Sequence, residues 1–577
     1  MHIGKNICEN LLGTFLGIDG KNKDTEKARK DLEDQELRKE LHLKKRANGS
    51  FEKPPAMYTL SAKEREGFCN FLKSIKYPDG YAANISKCVN TRGGKLSGLK
   101  SHDCHVLLQR LLPIGMRGYL NKEIGTALFE FSSFYQQVCS KTVRKSDLDK
   151  LQENIILVLC KCEKIFPPAF FDVMVHLAIH LPRELKLGGP VHYRWMYPIE
   201  RLLGVLKKLV GNKAHPEGSI VEAYVCKECT TFCSMYLDGI ETVFNRQERN
   251  DDGGEHDVGL RAFTQQIRPF SIIRRAPDVP VDQRDMAHWF VLNNSPEVEP
   301  YLKIHKNLLG NGNTLDIAKR QRKEFPQWFK RHVNELRKQG SLEATNELWS
   351  LANGPGPIIN TYSGCISIGV HFLTIERDNR HTTQNSGVVV EGEHEGQTIN
   401  FYGFLTKVWE MAYLFGHRVV LFQCEWYNSG CSRFFRVDAH CSSIDVRSRW
   451  YKDDPFVFPS QVQQVFYIAD TKLGEHWKVV ERIHRRGIWN VPETESFETS
   501  GSPNEVFQQE ITTEVPTIVV EDPPIVSSLR RNDIEPAITS EEEDHSDEYE
   551  ENLMADLDDE EEEENHSDSD DDFDIEA

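Results

Sequence analysis

The chain has 577 residues, 39% of them hydrophobic, and a formal net charge of −19, which is enough sequence for several domains that each bury a core. The charge is uneven, because residues 541–577 hold 22 of the 89 acidic residues and neither Lys nor Arg. The first 540 residues therefore carry 67 acidic against 70 basic residues, an ordinary globular balance. This distribution excludes a polyanionic or strongly basic body and assigns the acidity to the tail.

The cysteines and the N-terminal segment argue against a secreted or membrane protein. The 14 cysteines lack the regular spacing of a disulfide framework. The first residues lack a basic segment followed by a long apolar one, and no stretch reaches the ~18 apolar residues of a membrane span. We therefore expect an intracellular, soluble, reduced protein with mostly buried cysteines and no membrane partner.

In the N-terminal part, residues 1–20 and 60–75 have apolar side chains at helical spacing. Ser61 and Glu64 form a capping box at the start of the second of these helices. Between the two helices, residues 21–53 are dominated by charges of both signs. This pattern is typical of a solvated helix with mixed-sign pairs, which we favour over a nucleic-acid-binding patch.

Residues 100–240 are the most helical part of the chain. Apolar side chains recur at helical spacing in 105–112, 124–138, 146–160, 170–181, 199–209 and 219–237, and again in 295–306 and 325–338. The period changes after a turn-rich segment at 351–395. Segments that alternate or run apolar and are rich in Val, Phe, Tyr and Trp predict strands of a small sheet at 400–408, 418–426, 433–437 and 464–468.

The predicted fold class is α+β, with a predominantly helical N-terminal half, a small β-rich C-terminal module and a disordered acidic tail. The tail has too little apolar surface to offset the entropy of ordering. The predicted limits are 1–95 for a first domain, 96–245 for a helical domain, 246–395 for a linker and mixed region, 396–488 for the β-rich domain and 489–577 for the tail.

His176 and His180 are four residues apart on one helix face, a spacing that allows two imidazoles to bind one metal ion. From the spacing alone, two ordinary core or surface histidines are the favoured interpretation, because a structural zinc site needs four ligands and two more are not evident nearby. Cys226, Cys229 and Cys233 are further candidate ligands. Their spacing within a helical pattern instead favours one buried stripe.

Glu200 lies in the first turn of another amphipathic helix, where a carboxylate is favourable for the helix dipole whatever its function. The functional alternative is a ligand of a divalent metal, with Arg201, Lys207, Lys208 and Lys213 contacting a phosphate backbone. Two-metal phosphoryl chemistry needs several converging carboxylates, so one Glu does not make a site.

The β-rich module contains many aromatic side chains with arginines between them. A nucleic-acid stacking platform would use such residues, but the core of a small sheet is the favoured interpretation. The residues are Trp409, Trp426, Tyr427, Phe434, Phe435, Trp450, Tyr451, Phe456 and Tyr467.

Several collinear segments resemble plant CACTA (En/Spm-type) DNA transposases. They are 98–120, 165–184 and 189–224 in the helical part, and 290–305, 324–333, 380–394, 401–411, 419–428 and 453–470 in the C-terminal half. The resemblance extends over about residues 1–488 and leaves out the tail. It implies the end of the main transposase domain followed by two domains of unknown function, one on each side of the linker.

The resemblance also implies a metal-dependent, RNase H-like DDE core, of which the helical half is a remnant. In that core two Asp residues and a CxxC come early, and an HxxxH and a Glu come late. By this resemblance His176 and His180 are half of a zinc site, and Glu200 is the last catalytic acid. An intact enzyme of this kind uses Mg²⁺ or Mn²⁺ together with Zn²⁺, and it is nuclear.

This chain departs from the family in its first half-site, because both Asp residues and the CxxC are expected upstream of Met1. Glu200 is therefore expected to be vestigial, in a truncated or transposon-derived protein that binds DNA, other transposon-encoded proteins or nuclear proteins, and no small-molecule substrate. One alternative is a domesticated nuclear adaptor acting through the β-rich module and the acidic tail. Another is an active DDE transposase whose gene model lacks its 5′ exons.

Overall fold

The structure is a computed structural model that describes residues 1–91, 94–237, 259–271, 273–276, 279–310, 314–438, 441–483 and 529–539. The chain divides into two compact units. The N-terminal unit comprises 1–70, 88–190 and 506–577, and the sheet unit comprises 71–87 and 191–505. The acidic run at 541–577 lies outside the described residues.

Helices dominate the N-terminal unit, as the sequence predicts. The predicted capping box is confirmed, because Glu64 accepts a hydrogen bond from the Ser61 N–H at 2.8 Å and Ser61 Oγ accepts one from the Glu64 N–H at 3.3 Å. The α-helices are His2–Leu16, Glu26–Asp34, Ala62–Lys73, Ser101–Val106, Leu112–Met116, Lys122–Val138, Lys145–Ile165, Val173–Leu177 and Leu181–Gly188. Short strands pair as Lys44–Lys45 with Phe51–Lys53 and as Val89–Asn90 with Lys95–Leu96.

An ion pair between Arg29 and Asp24 lies in the interior of this unit. The Arg29 guanidinium is 0% exposed and donates to both Asp24 oxygens, at 2.5 and 2.7 Å, and to the Leu41 carbonyl at 2.8 Å. The Lys53 ammonium lies 3.6 Å from Asp24. Burial raises the pKa of Asp24, but the hydrogen bonds and charge of Arg29 and the charge of Lys53 outweigh it and hold that pKa below its usual value. The charges of 21–53 are thus partly internal, which corrects the prediction of a simply solvated helix.

A segment from the C-terminal part of the chain completes the small sheet of this unit. Strand Ala537–Thr539 pairs antiparallel with Phe51–Lys53, and Leu529 of the same segment is buried. The predicted disorder of 489–577 therefore does not extend to residues 529–539. Pairing between strands so distant in sequence leaves no local period that a sequence pattern could reveal.

The sheet unit contains an 11-stranded antiparallel sheet and a smaller three-stranded sheet. The longest strands are Gln397–Ala412 and Arg418–Tyr427, which pair with each other. The remaining strands of the large sheet are Arg274–Ala276, Ile359–Tyr362, Gly387–His394, Phe435–Val437, Ser442–Asp445, Arg449–Trp450, Phe456–Val457, Gln463–Ala469 and Trp477–Arg482. The smaller sheet consists of Ile267–Phe270, Gly364–Ser367 and Val370–Leu373. The helices are Tyr197–Lys208, Pro216–Met235, Val281–Asn293, Glu299–Leu308, Thr314–Lys338, Asn346–Asn353 and Ile375–Asp378.

The two long strands contribute side chains to cores on both of their faces. Successive side chains of a strand point to opposite sides, so neighbouring residues enter different cores. Val419 and Leu421 join a core that also contains Val291 and Phe325 from the helices. Their neighbour Val420 packs into a second core on the other side. Coverage of both faces explains why the strand sequences run apolar instead of alternating.

The aromatic side chains of the β-rich module mainly form these cores. Trp409 is 2% exposed and donates its Nε1–H to Gln423 Oε1 at 3.0 Å, and Trp426, Tyr427 and Phe456 are also buried. A stacking platform for bases needs exposed ring faces. The core interpretation is therefore confirmed for these four aromatic residues.

The α+β class, with a helical N-terminal half and a β-rich C-terminal part, is confirmed. The sheet is larger than predicted, because strands such as Ile359–Tyr362 and Gly387–His394 lie in the stretch 351–395 that the sequence marks as turn-rich. In the part of the chain that the structure describes, no helix has both the length and the apolar character of a membrane span.

We expect Arg29→Ala to destabilise the N-terminal unit by about 3–5 kcal/mol, because it leaves the buried Asp24 carboxylate without its main partner. Lys27→Ala on the same helix is the matched control and should change the free energy of unfolding by less than about 0.5 kcal/mol, since Lys27 is exposed. The free energy of unfolding of each variant is measured by urea titration, with hydrogen exchange of the amides in 24–41 as the probe of unfolding. Equal stability of the two variants would contradict the structural role of the ion pair.

Candidate functional site: a histidine pair and an exposed helical hairpin

The histidine pair, His176 and His180, lies on a helical run that changes character between the two residues. His176 belongs to the helix Val173–Leu177, and His180 ends the 3-10 turn Ala178–His180. Pro182 follows in the first turn of the next helix, and its missing N–H prevents a regular α-helical hydrogen bond four residues back. The prediction of one continuous helix at 170–181 is therefore wrong, because the α-helix ends at Leu177 and a 3-10 turn follows.

Asp172 fixes the start of this run. Its carboxylate accepts hydrogen bonds from the N–H groups of Met174 and Val175 at 3.0 and 3.1 Å and from the Asn10 side chain at 2.8 Å. Lys23 forms an ion pair with it at 3.1 Å. Partial burial raises the pKa of Asp172, but the hydrogen bonds and Lys23 outweigh this and lower that pKa below its usual value. The first histidine is thus carried by a well-anchored helix start.

The two imidazoles converge at the surface. Their Nε2 atoms are 3.4 Å apart, the ring planes meet at 76°, and both residues are exposed. Two nitrogens bound to one tetrahedral zinc at about 2.0–2.1 Å lie about 3.3–3.4 Å from each other. The pair therefore has the separation of two zinc ligands. The same distance also suits a hydrogen bond from one neutral ring to the other.

The described residues do not complete a zinc site around this pair. No group of three or more His, Cys, Asp or Glu side chains in the described ranges could hold a metal ion. A structural zinc site takes four protein ligands, and a catalytic one takes three. The pair thus fits half of a zinc site. It belongs to the N-terminal unit, whereas Glu200 belongs to the sheet unit.

Glu200 lies on a helical hairpin formed by Tyr197–Lys208 and Pro216–Met235, which we call the exposed hairpin. Neither of its helices buries a residue. Glu200 occupies the first turn, and its N–H donates to the Met196 carbonyl at 2.8 Å. The exposed polar residues include all the predicted metal- and phosphate-binding ones: Glu200, Arg201, Lys207, Lys208 and Lys213.

The apolar face of the exposed hairpin is open to solvent. Ile199, Leu202 and Leu203 are 47%, 53% and 58% exposed. From its amphipathic pattern, the segment 199–209 is expected to pack its apolar face into a core. That interpretation is wrong within the described residues, because no described element buries the apolar face of this helix. Apolar patches of this kind mark surfaces that bind another molecule.

The cysteines of the second hairpin helix are also exposed. Cys226, Cys229 and Cys233 share one helix face, as their spacing predicts, but none of the three is buried. The interpretation as a buried stripe is therefore wrong. Its physical reason is that spacing assigns residues to a helix face but does not say whether that face is covered.

A buried polar cluster in the sheet unit was not suggested by the sequence. Asp378 is 3% exposed, and one of its oxygens accepts hydrogen bonds from the N–H groups of Asn385 and Ser386 at 2.7 and 2.6 Å. The other oxygen has no hydrogen-bond partner among the described atoms. Burial raises the pKa of Asp378 to about 6, although these hydrogen bonds and the charge of Lys76 lower it. A single Asp at the end of a four-residue helix gives no sequence signal that distinguishes this buried carboxylate from a surface one.

Comparisons with known proteins identify two family-defined regions. Residues 138–251 match a domain of unknown function, DUF4218, and residues 409–480 match a second one, DUF4216. Domains of these two kinds are typical of plant transposase-like proteins. The expectation of two domains of unknown function is thus confirmed. No curated protein and no solved structure matches the chain.

We expect the histidine pair to bind Zn²⁺ with a Kd weaker than about 1 μM at pH 7, because structural zinc sites of higher affinity use four ligands. His176→Ala and His180→Ala should each abolish this binding in isothermal titration calorimetry. His215→Ala, on the exposed hairpin, is the control and should leave it unchanged. Binding that survives both pair substitutions would exclude the half-site.

We expect the raised pKa of Asp378 to lower stability as pH rises. The native state retains the proton up to about pH 6, whereas the unfolded state releases it near 3.8, so the free energy of unfolding falls between these values. Relative to Asp378→Asn, the full chain should lose about 2–3 kcal/mol between pH 4 and pH 7. Exposed Asp282→Asn is the control and should leave the pH profile of unfolding unchanged.

Proposed function

We propose that the chain is a transposon-derived, CACTA-type transposase-like protein that is catalytically incomplete and acts in the nucleus by binding DNA or protein. The observation that supports this most is the histidine pair, with Nε2 atoms 3.4 Å apart and no third ligand group beside them in the described ranges. By the resemblance to CACTA-type transposases, the late part of the catalytic core contributes two histidines of a zinc site, and the remaining ligands come from an earlier part.

In this proposal Glu200 is the vestigial last acid of that core. An intact core would place it on a divalent cation such as Mg²⁺ or Mn²⁺, which stabilises the charge of a phosphoryl group during strand transfer. Two-metal chemistry requires several carboxylates around the ions. A single exposed carboxylate in the first turn of a helix cannot supply that environment, so we expect no turnover by this chain alone.

The exposed hairpin supports a binding role. Its open apolar face, with Leu202 and Leu203 more than half exposed, suits a protein partner. Lys207 and Lys208 at the end of its first helix suit a phosphate backbone, because lysines that neutralise phosphates release condensed counterions and so favour association. The function we infer is therefore attachment to DNA and to a second protein, with the chemistry performed elsewhere.

We expect Lys207→Glu/Lys208→Glu to weaken binding of a 20-base-pair duplex by about tenfold in 50 mM salt and to reduce the slope of log affinity against log salt by about 2. Fluorescence anisotropy of a labelled duplex measures both quantities. The matched control is Lys303→Glu/Lys306→Glu, which reverses two exposed lysines on the helix Glu299–Leu308. Equal losses in the two double variants would argue against a specific DNA-binding role for the hairpin.

The same preparations, supplied with Mg²⁺ or Mn²⁺, test the absence of turnover. Nicking of supercoiled DNA should not exceed that of Glu200→Gln. Metal-dependent nicking by the full chain that disappears in Glu200→Gln would overturn the proposal and favour an active transposase.

A further inference from the structure

Residues 529–539, which we call the docking segment, lie against the N-terminal unit as an extended chain. Strand Ala537–Thr539 pairs antiparallel with Phe51–Lys53. Closer to the start of the segment, the Leu529 carbonyl accepts a hydrogen bond from the Met57 N–H at 2.7 Å. The docking segment therefore makes backbone contacts near both of its ends, in the manner of a peptide added to a strand edge.

The docking segment is remote in sequence from the surface that it contacts. The described residue that precedes it along the chain is Ile483, which belongs to the sheet unit, and residues 484–528 lie between the two. The surface itself belongs to residues 51–64. Because no short connection forces the two together, the contacts of the docking segment itself must hold it in place, as they do for a tethered peptide.

Two side chains anchor the docking segment. Leu529 is 4% exposed. The Arg531 guanidinium is 12% exposed and donates to the Thr59 carbonyl at 2.9 Å and to Glu64 Oε1 at 2.5 Å. It also donates to both oxygens of Asp533, at 2.8 and 3.0 Å. A planar guanidinium supplies these donors in one fixed fork, which a lysine ammonium does not reproduce.

The carboxylate that meets Arg531 is held by its own helix. Glu64 Oε2 accepts hydrogen bonds from the Ser61 N–H at 2.8 Å and from Ser61 Oγ at 2.7 Å. These bonds are part of the capping box at the start of helix Ala62–Lys73. Since the helix start fixes one oxygen of Glu64, the other oxygen is presented to a ligand at a defined position, which lowers the entropy lost on binding.

Two prolines restrict the backbone of the contacted surface. Pro54 and Pro55 are buried and follow directly after strand Phe51–Lys53. Proline fixes its own φ and restricts the preceding residue to extended conformations, so this stretch loses little entropy when a ligand binds. Neither proline has an N–H that would need a partner when the surface is empty. We call the surface formed by residues 51–59 and Glu64 the peptide groove.

We propose that the peptide groove is a recognition site for extended peptides of the form Leu-x-Arg-x-Asp, and that the docking segment occupies it as a tethered ligand of the same form. Leu529, Arg531 and Asp533 supply this form within the chain. A partner protein binds through an exposed segment of this chemistry and competes with the docking segment, whose tether raises its local concentration. The inference uses neither the histidine pair nor the exposed hairpin and does not rest on the proposed function.

Isothermal titration calorimetry with a peptide of sequence 529–539, acetylated and amidated at its ends, tests the inference. The receptor is the chain from which only residues 529–539 are deleted, so that the peptide groove is vacated. The deleted stretch contains two Arg, one Asp and one Glu, and its removal leaves the net charge unchanged. The full chain is the comparison.

We expect the deleted chain to bind one peptide per chain, and the full chain to bind it at least about tenfold more weakly, because the tethered segment competes. The peptide carrying Arg531→Lys should bind about tenfold more weakly than the original peptide, since it keeps the charge but loses the fork. The matched control is the peptide carrying Glu535→Gln, which should bind as tightly as the original one because Glu535 is exposed.

A substitution in the peptide groove tests the same contact from the other side. In the deleted chain, Glu64→Gln should weaken peptide binding by about tenfold, because the charge is lost while a glutamine still completes the capping box. Glu66→Gln on the same helix is the matched control and should leave binding unchanged, since Glu66 is exposed. Hydrogen exchange of the amides in Ala62–Lys73 verifies that both variants retain the helix.

Four results would overturn the inference. A folded deleted chain that binds no peptide would show that the peptide groove is not a binding site, and equal binding by the full chain would show that the docking segment does not occupy it. Equal affinity of the Arg531→Lys peptide would exclude recognition of the guanidinium fork. Loss of amide protection in 1–20 after the deletion would show that residues 529–539 are a structural strand of the N-terminal unit and not an exchangeable ligand.

Discussion

The buried guanidinium of Arg29 is the interaction on which the charged face of the N-terminal unit depends. A cation with no exposure to water requires a paired carboxylate and further acceptors, which Asp24 and the Leu41 carbonyl provide. Asp24 also attracts Lys53, and Lys53 ends the strand that pairs with Ala537–Thr539. The ion pair thus connects one strand of the small sheet to the charged interior of the unit.

The apolar side chains of the two long strands are covered by other parts of the sheet unit, whereas those of the exposed hairpin are not. Gln397–Ala412 and Arg418–Tyr427 are covered on both faces by side chains of the sheet unit. The exposed hairpin buries no residue, and the histidine pair has two of the ligands that zinc requires. Both incomplete features lie within the match to DUF4218 at 138–251.

Local patterns in the sequence predict local structure well. The strand predicted at 418–426 is observed as Arg418–Tyr427, because an apolar, aromatic-rich run bounded by turns carries its own signal. The convergence of His176 and His180 follows from their helical spacing, although the helix is broken between them. The pairing of Ala537–Thr539 with Phe51–Lys53 could not be predicted, because it depends on contacts distant in sequence. The burial of Asp378 left no signal in the sequence, because its hydrogen-bond partners are the backbone N–H groups of Asn385 and Ser386. Exposure of the hairpin could not be predicted either, since an amphipathic pattern shows which face is apolar and not whether another element covers it.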